Sequence, residues 1–116
     1  MADLSLKKAV PYAVVANCDD HQIVTTPVGL YKPNPWGLYD ILGNVAEWVE
    51  DCYVKDYNNT PGDGNVVTTQ DCNTRAVRGG SWSFPPRYLR AAYRIGLMPD
   101  YRNNYVGFRV ARIVAP

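Results

Sequence analysis

Apolar positions in this chain come in short bursts, and none sustains a helical period over several turns. The run Val10-Pro-Tyr-Ala-Val-Val-Ala16 predicts a short strand, which Pro11 confines to a sheet edge or a strand start. Residues 17–27 are polar and irregular. The apolar run from Pro27 to Tyr31 is broken by Lys32-Pro-Asn-Pro35. The residue before each proline is pushed to extended geometry, so this stretch reads as loop. Ile41-Leu-Gly-Asn44 is a turn signal, and Val45–Glu50 alternates loosely, predicting a strand. Residues 54–74 read as one long polar loop. Residues 75–82 read as a strand that runs into a tight backbone feature at Gly79-Gly80. Period alone does not choose between a helical turn and a strand for residues 87–95. Residues 105–113 alternate clearly, with Val106, Phe108 and Val110 on one face that the pattern predicts to be buried. Residues 1–9 read as a flexible N-terminal arm.

The chain has 116 residues, enough for one modest core. It is 47% hydrophobic and 20% charged, which excludes a disordered tail. A net charge of +1 gives no global pull toward nucleic acid or an anionic membrane. No apolar run approaches a bilayer span, and no uninterrupted apolar stretch marks a signal peptide. Nine Tyr and three Trp stand against two Phe, with nine Gly and nine Pro, which points to a loop-rich domain with polar aromatics inside. The charge is uneven. Residues 1–74 hold four Lys, no Arg and ten acids, whereas residues 75–116 hold eight Arg and one acid. The simplest reading is that the acidic half folds onto the basic half, with guanidinium groups bonded to carboxylates and backbone carbonyls. An anion or nucleic-acid surface is the alternative, although such surfaces usually mix Lys with Arg.

Three ordered blocks carry a family resemblance: Asn34-Pro-Trp-Gly-Leu-Tyr-Asp-Ile-Leu-Gly-Asn-Val-Ala-Glu-Trp48, Val77-Arg-Gly-Gly-Ser-Trp82, and Asn104-Tyr-Val-Gly-Phe-Arg-Val-Ala111. The chain resembles the formylglycine-generating enzyme (sulfatase-modifying factor) family over residues 12–113, corresponding to about the C-terminal half of the usual domain. The resemblance implies an α+β fold, the family's loop-rich variant of the C-type lectin-like fold, as a single domain over residues 1–116.

The family's enzymes oxidise a sulfatase cysteine with copper and molecular oxygen, using two cysteines shortly after the Gly-Gly-Ser block. Here an ungapped count places Phe84 and Leu89 at those positions, and neither can bind a metal or act as a thiolate. Copper is therefore not expected. Iron is not expected either, because a mononuclear iron site typically wants two His and the chain has only His21. The leading expectation is a non-catalytic binding or assembly module. Its binding surface would carry Trp82, Ser83, Phe84, Arg87, Tyr88 and Arg90, where the family's enzymes bind their peptide. Tyr, Trp and Arg together are what interfaces use. For Trp36, Trp48 and Trp82, core packing is the plainer expectation. The alternatives are a metal-dependent oxidoreductase of the formylglycine-generating or sulfoxide-synthase type acting with a second chain, and a truncated family remnant that dimerises. The expected partners are a protein or peptide and a second copy of the chain, with no nucleic acid and no membrane.

The resemblance also implies a structural calcium, with side-chain oxygens from Asp40 and Glu47 and carbonyls from Gly43 and Val45. Calcium takes six to eight oxygen ligands in flexible geometry, which two carboxylates and turn carbonyls suit. The competing reading is that Asp40 caps a turn and Glu47 pairs with an arginine. A second metal position would use Asn17, Cys18 and Asp20. Of three cysteines, Cys52 and Cys72 bracket the long polar loop, and resembling sequences imply that they pair. Such a disulfide suggests a periplasmic or secreted protein; all three reduced would suit the cytoplasm. Cys18 is left over.

Overall fold

The computed structural model describes residues 1–58, 60 and 62–112. One helix, α1 (Leu4–Ala9), precedes four strands, β1 (Ala46–Cys52), β2 (Arg75–Arg78), β3 (Arg94–Leu97) and β4 (Val106–Phe108). A 3-10 turn spans Pro86–Tyr88. The strands form one sheet in the order β3-β2-β1-β4. The pairs β1/β2 and β2/β3 are antiparallel, and β4 joins β1 in parallel. The fold is thus α+β and loop-rich. No helix among the described residues is long and apolar enough to cross a membrane.

The sheet is held at its centre. Ala76 and Val77 on β2 and Ala46 on β1 are each only 1% exposed. Trp48 faces Val77 across the β1/β2 ladder, and an irregularity follows before Cys52 pairs with Arg75. On β3, a Cβ added at Gly96 would fall 2.6 Å from the Tyr53 ring, so the ring lies directly on the backbone there.

The N-terminus departs from the expected arm. Asp3 caps α1, its Oδ1 accepting from the amides of Ser5 (3.0 Å) and Leu6 (3.3 Å). A six-residue helix is too short to persist alone, so its stability comes from docking. Ala2, Asp3, Ser5 and Leu6 are buried. The Leu4 amide donates to Cys18 O at 2.9 Å, and the Asp20 amide donates to Asp3 Oδ2 at 2.7 Å. Residues 10–16, predicted as an edge strand, are irregular: the chain turns after α1 and returns to Ala2, whose carbonyl accepts from the Ala16 amide at 2.9 Å, and it pairs with no described strand.

The C-terminal alternation also comes out differently. The strand is only three residues long, and the face predicted to be buried is open: Phe108 is 77% and Val110 83% exposed. β4 is an edge strand, and Phe108 borders an open hollow that it shares with Val28 and Tyr39. Ile113, the last residue of the predicted strand, lies outside the described residues. Trp36, expected in the core, is also exposed because it rides on the proline-broken loop; Trp48 and Trp82 are half-buried.

The loop after β1 is stapled. Cys52 and Cys72 are bonded, with 5.4 Å between their Cα atoms. Within the loop, buried Val67 donates its amide to Asp51 Oδ1 at 2.9 Å and accepts from the Cys52 amide at 2.8 Å. Arg94 reaches across from β3, donating to the carbonyls of Val54 and Lys55 while its guanidinium lies 4.8 Å and 4.2 Å from the ring centres of Tyr53 and Tyr57. Arg78 donates to Ala91 O and to the Tyr57 hydroxyl. The basic half does meet the acidic half, but mostly through carbonyls and tyrosines.

Candidate functional site

The site is assembled where the Gly43-Asn44 turn meets the Gly79-Gly80-Ser81 turn. Asn44 takes a left-handed conformation (φ 57°), which a short amide side chain tolerates. Its Oδ1 accepts from the Thr26 amide and its Nδ2 donates to Thr26 O, both at 3.1 Å. Its carbonyl accepts from the Trp82 amide at 2.8 Å, and the Gly43 amide donates to Gly79 O at 2.9 Å. Three distant segments are thereby locked together. Gly79 and Gly80 have φ of 91° and 70°, a region closed to most side chains. A Cβ on Gly80 would also sit 3.1 Å from Leu89 Cγ.

That turn delivers the residues beyond it. Ser81 is fully buried, with its Oγ 3.3 Å from Ser83 Oγ. The chain's one histidine, His21, contacts Asp19 through Nδ1 at 3.4 Å with its side chain 84% exposed. Trp82 Nε1 donates to Asn104 O at 3.2 Å. Phe84 sits among three tyrosine rings, with centroids 6.3 Å from Tyr88, 6.4 Å from Tyr93 and 5.4 Å from Tyr105. Tyr88 and Tyr93 lie 4.7 Å apart. Arg87 lies over Tyr88 at 4.6 Å and donates to its hydroxyl at 2.7 Å. Burial pushes the Tyr93 hydroxyl up, Tyr88 and Tyr53 add to it, and Arg87 and Arg90 oppose it. The six surface residues read from the sequence therefore share one region, with Arg90 and Arg87 exposed at its rim. Tyr93 and Tyr105 complete it and were missed, because nothing in the local pattern of residues 87–95 or 105–113 says which rings will meet Phe84.

Asp40 and Glu47 line a common hollow of about 370 Å³ with Val28, Tyr39, Val45 and Arg109. Arg109 Nε donates to Glu47 Oε1 (3.0 Å) and Oε2 (3.1 Å), and Nη2 donates to Oε1 (2.8 Å) and to Tyr39 O (2.7 Å). Glu47 thereby raises the Arg109 pKa, against a smaller opposing effect of burial, with Asp40 adding attraction. Asp40 is left-handed (φ 51°), and its Oδ2 accepts from the Gly29 amide at 2.8 Å. Glu47 thus pairs with an arginine, while Asp40 holds the amide of Gly29, eleven residues away. Asp40, Val45 and Glu47 line this hollow and Gly43 does not; the donor atoms proposed for calcium are of the kind it takes. They are all oxygen, and an ionised carboxylate has about four lone-pair sites, more than these contacts use. Arg109 is the cation such an ion would have to sit beside.

Asp40 also borders a larger hollow of about 530 Å³, with Asp3, Cys18, Asp20, Tyr31 and Leu42. Of the second set of proposed ligands, Cys18 and Asp20 line this hollow and hold the N-terminus, whereas Asn17 does not line it. Cys18 O and the Asp20 amide dock α1, Asp20 Oδ1 accepts from the Gln22 amide at 2.9 Å, and Asn17 is exposed. Cys18 is a free, exposed thiol. No cluster of three or more His, Cys, Asp or Glu suited to a metal occurs among the described residues.

Residues 6–114 match the family model of the sulfatase-modifying factor enzyme 1-like domain. The chain is 39% identical over 90 residues to the serine/threonine-protein kinase pkn1 of Chlamydia caviae, covering 76% of this chain and 15% of that protein. It is 34% identical over 100 residues to the formylglycine-generating enzyme of Thermomonospora curvata, covering 80% of this chain and 33% of that one. Among solved structures, PvdO from Pseudomonas aeruginosa superposes with a TM-score of 0.75 at 38% identity, covering 83% of this chain and 37% of that chain. The chain thus spans about a third or less of these relatives. With its turn-locked glycine block and its matched span, this chain belongs to the sulfatase-modifying factor enzyme 1-like domain family.

Proposed function

We propose that this chain acts as a non-catalytic binding or assembly module, built on the formylglycine-generating variant of the C-type lectin-like fold. The reading is supported by what stands at the positions that an ungapped count assigns to the family's cysteine pair. Phe84 is packed against three tyrosine rings, and Leu89 lies on Gly80. Both are packing groups with no redox chemistry. The binding surface is the face of Trp82, Ser83, Phe84, Arg87, Tyr88 and Arg90, where rings and guanidinium groups supply large, specific contacts. In this reading Asp40 and Glu47, with the carbonyls of Gly43 and Val45, hold a calcium ion that stiffens the turn beneath that face. The Cys52–Cys72 bond suits an oxidising compartment.

The test is incubation of the purified chain with a cysteine peptide of the sulfatase type, copper and oxygen. No aldehyde forms if the reading is right. Aldehyde formation above a Phe84→Ala control would revive the oxidoreductase reading.

A second reading, self-association, is favoured by the open apolar positions on one side of the sheet. Val28 is 88%, Phe108 77% and Val110 83% exposed, and Val28 and Phe108 line the same hollow. Apolar groups gathered in this way mark interaction sites. Sedimentation velocity at tens of micromolar would show a dimer, and a monomeric mass would reject it.

A further inference from the structure

Of the eight arginines in residues 75–116, four are bonded into the fold. Arg75 donates to Glu50 O, Arg78 to Ala91 O and Tyr57, Arg94 to Val54 O and Lys55 O, and Arg109 to Glu47 and Tyr39 O. The other four are Arg87, Arg90, Arg102 and Arg112, and of these Arg87 and Arg90 adjoin the aromatic cluster. Both are exposed, and among the described residues neither has a carboxylate within ion-pair distance. Arg87 is held over the Tyr88 ring, and the Arg90 carbonyl accepts from the Tyr93 amide at 2.9 Å, which sets Arg90 beside the same rings; both cations oppose the rise of the Tyr93 pKa. The only acid in the whole segment is Asp100. The half-buried rings of Phe84, Tyr88 and Tyr93 thus adjoin two cations with no carboxylate partner among the described residues.

We infer that this platform takes a carboxylate-rich peptide segment of a partner protein, its acidic side chains on Arg87 and Arg90 and its apolar or aromatic side chains against the rings of Phe84, Tyr88 and Tyr93. The inference rests on the reading of this face as the binding surface and adds the chemistry of its partner. Guanidinium is planar and multi-donor, matching a carboxylate in two parallel hydrogen bonds. A single exposed ion pair contributes little, so selectivity needs several contacts made together, as an extended chain supplies. Charge complementarity then fixes the partner's sign. A basic peptide would place like charges against both arginines, which is strongly unfavourable.

The experiment is fluorescence anisotropy of the purified chain with labelled peptides of alternating Glu and Tyr, Gln and Tyr, or Lys and Tyr. The Glu peptide should bind about tenfold tighter than the Gln peptide, and the Lys peptide weakest. The double variant Arg87→Glu, Arg90→Glu, checked for folding by circular dichroism, should lose that preference. Lys32→Glu, a charge reversal at one residue on the separate large hollow, should leave it within about twofold. Equal binding of the Glu and Gln peptides, both lost in Phe84→Ala, would overturn the inference while leaving the binding surface in place. Tighter binding of single-stranded RNA than of the Glu peptide would overturn it in favour of a nucleic-acid surface. Failure of every peptide to bind would overturn both the inference and the binding-surface reading.

Discussion

Arg109 grips Glu47 from 62 positions away, through Nε to both carboxylate oxygens and through Nη2 to Oε1, and ties the same guanidinium to Tyr39 O. One side chain thereby joins β1, the residue following β4 and the loop before the Gly43-Asn44 turn. The side chains are 36% and 24% exposed, so water screens the pair in part. Arg109→Ala should destabilise by about 1 kcal/mol in urea unfolding, with Arg109→Lys recovering only part because it loses the fork geometry. A double-mutant cycle with Glu47→Gln should give a coupling of a few tenths to about 1 kcal/mol. Zero coupling would mean that the pair is incidental.

The same carboxylate carries the calcium proposal. Stripping with a chelator and adding calcium back should raise the melting midpoint of the wild-type chain. Glu47→Gln and Asp40→Asn should each remove that rise. A midpoint indifferent to calcium in the wild type would leave Glu47 as the partner of Arg109 alone.

Docking of α1 should fail in acid. Burial works against ionisation of Asp3, but the amides of Asp20, Leu6 and Ser5 and the neighbouring Asp20 side chain outweigh it, so its pKa lies below the usual value. The Ser5 hydroxyl, the His21 amide and Lys8 hold Asp19 well below the ordinary carboxylate range. A carboxyl with a depressed folded-state pKa stabilises fully above its unfolded value, near 3.9, and loses that stabilisation as pH falls through the folded value. Stability should therefore be flat from neutral pH down to about 4 with respect to these two groups and fall below it. Asp3→Asn should weaken that acid dependence, and Asp3→Ala should cost about 1–2 kcal/mol through the lost cap. An unchanged acid limb in both Asp3→Asn and Asp19→Asn would rule the account out.

The Cys52–Cys72 bond closes a span of 20 residues. Constraining such a loop in the unfolded chain is worth about 3 kcal/mol, so a reductant, or the double change to Ala, should lower stability by that order. Val67, pinned by Asp51 and Cys52, should then gain amide exchange along with its neighbours in the loop. Identical unfolding curves with and without reductant would argue against the bond.

Phe108→Ser and Val110→Ser should behave unlike core changes. Both residues are largely exposed, so folding stability should shift by no more than about 0.5 kcal/mol. Self-association, if it uses this side of the sheet, should weaken in sedimentation velocity. A dimer that tolerates both changes would place the contact elsewhere.

Where the local pattern and the global contacts agreed, the chain was readable. The turn at Ile41–Asn44, the strand after it and the glycine pair after β2 all follow from residue types within a few positions of one another. Residues 87–95, undecided by period, turned out to contain parts of both structures, the end of a 3-10 turn and the start of β3. The arm was misread because six residues make a helix only when docked, and the docking partners, Cys18 and Asp20, are themselves in irregular chain. The predicted burial of Phe108 failed for the opposite reason. Alternation reports that one face is apolar, not that another segment arrives to cover it.

The sequence by itself determined the family, the loop-rich α+β character and the two turns that meet at the site. Those features are carried by residue identity and short spacing. Only the tertiary structure decided that Arg109 and not another arginine takes Glu47, that Asp3 anchors the N-terminus, that Tyr93 and Tyr105 join Phe84, and that Arg87 and Arg90 have no acid among the described residues. Each of these joins groups far apart in the chain. Hydrogen bonds, ring contacts and ion pairs act over a few ångströms, so which groups meet depends on how the loops return to the sheet.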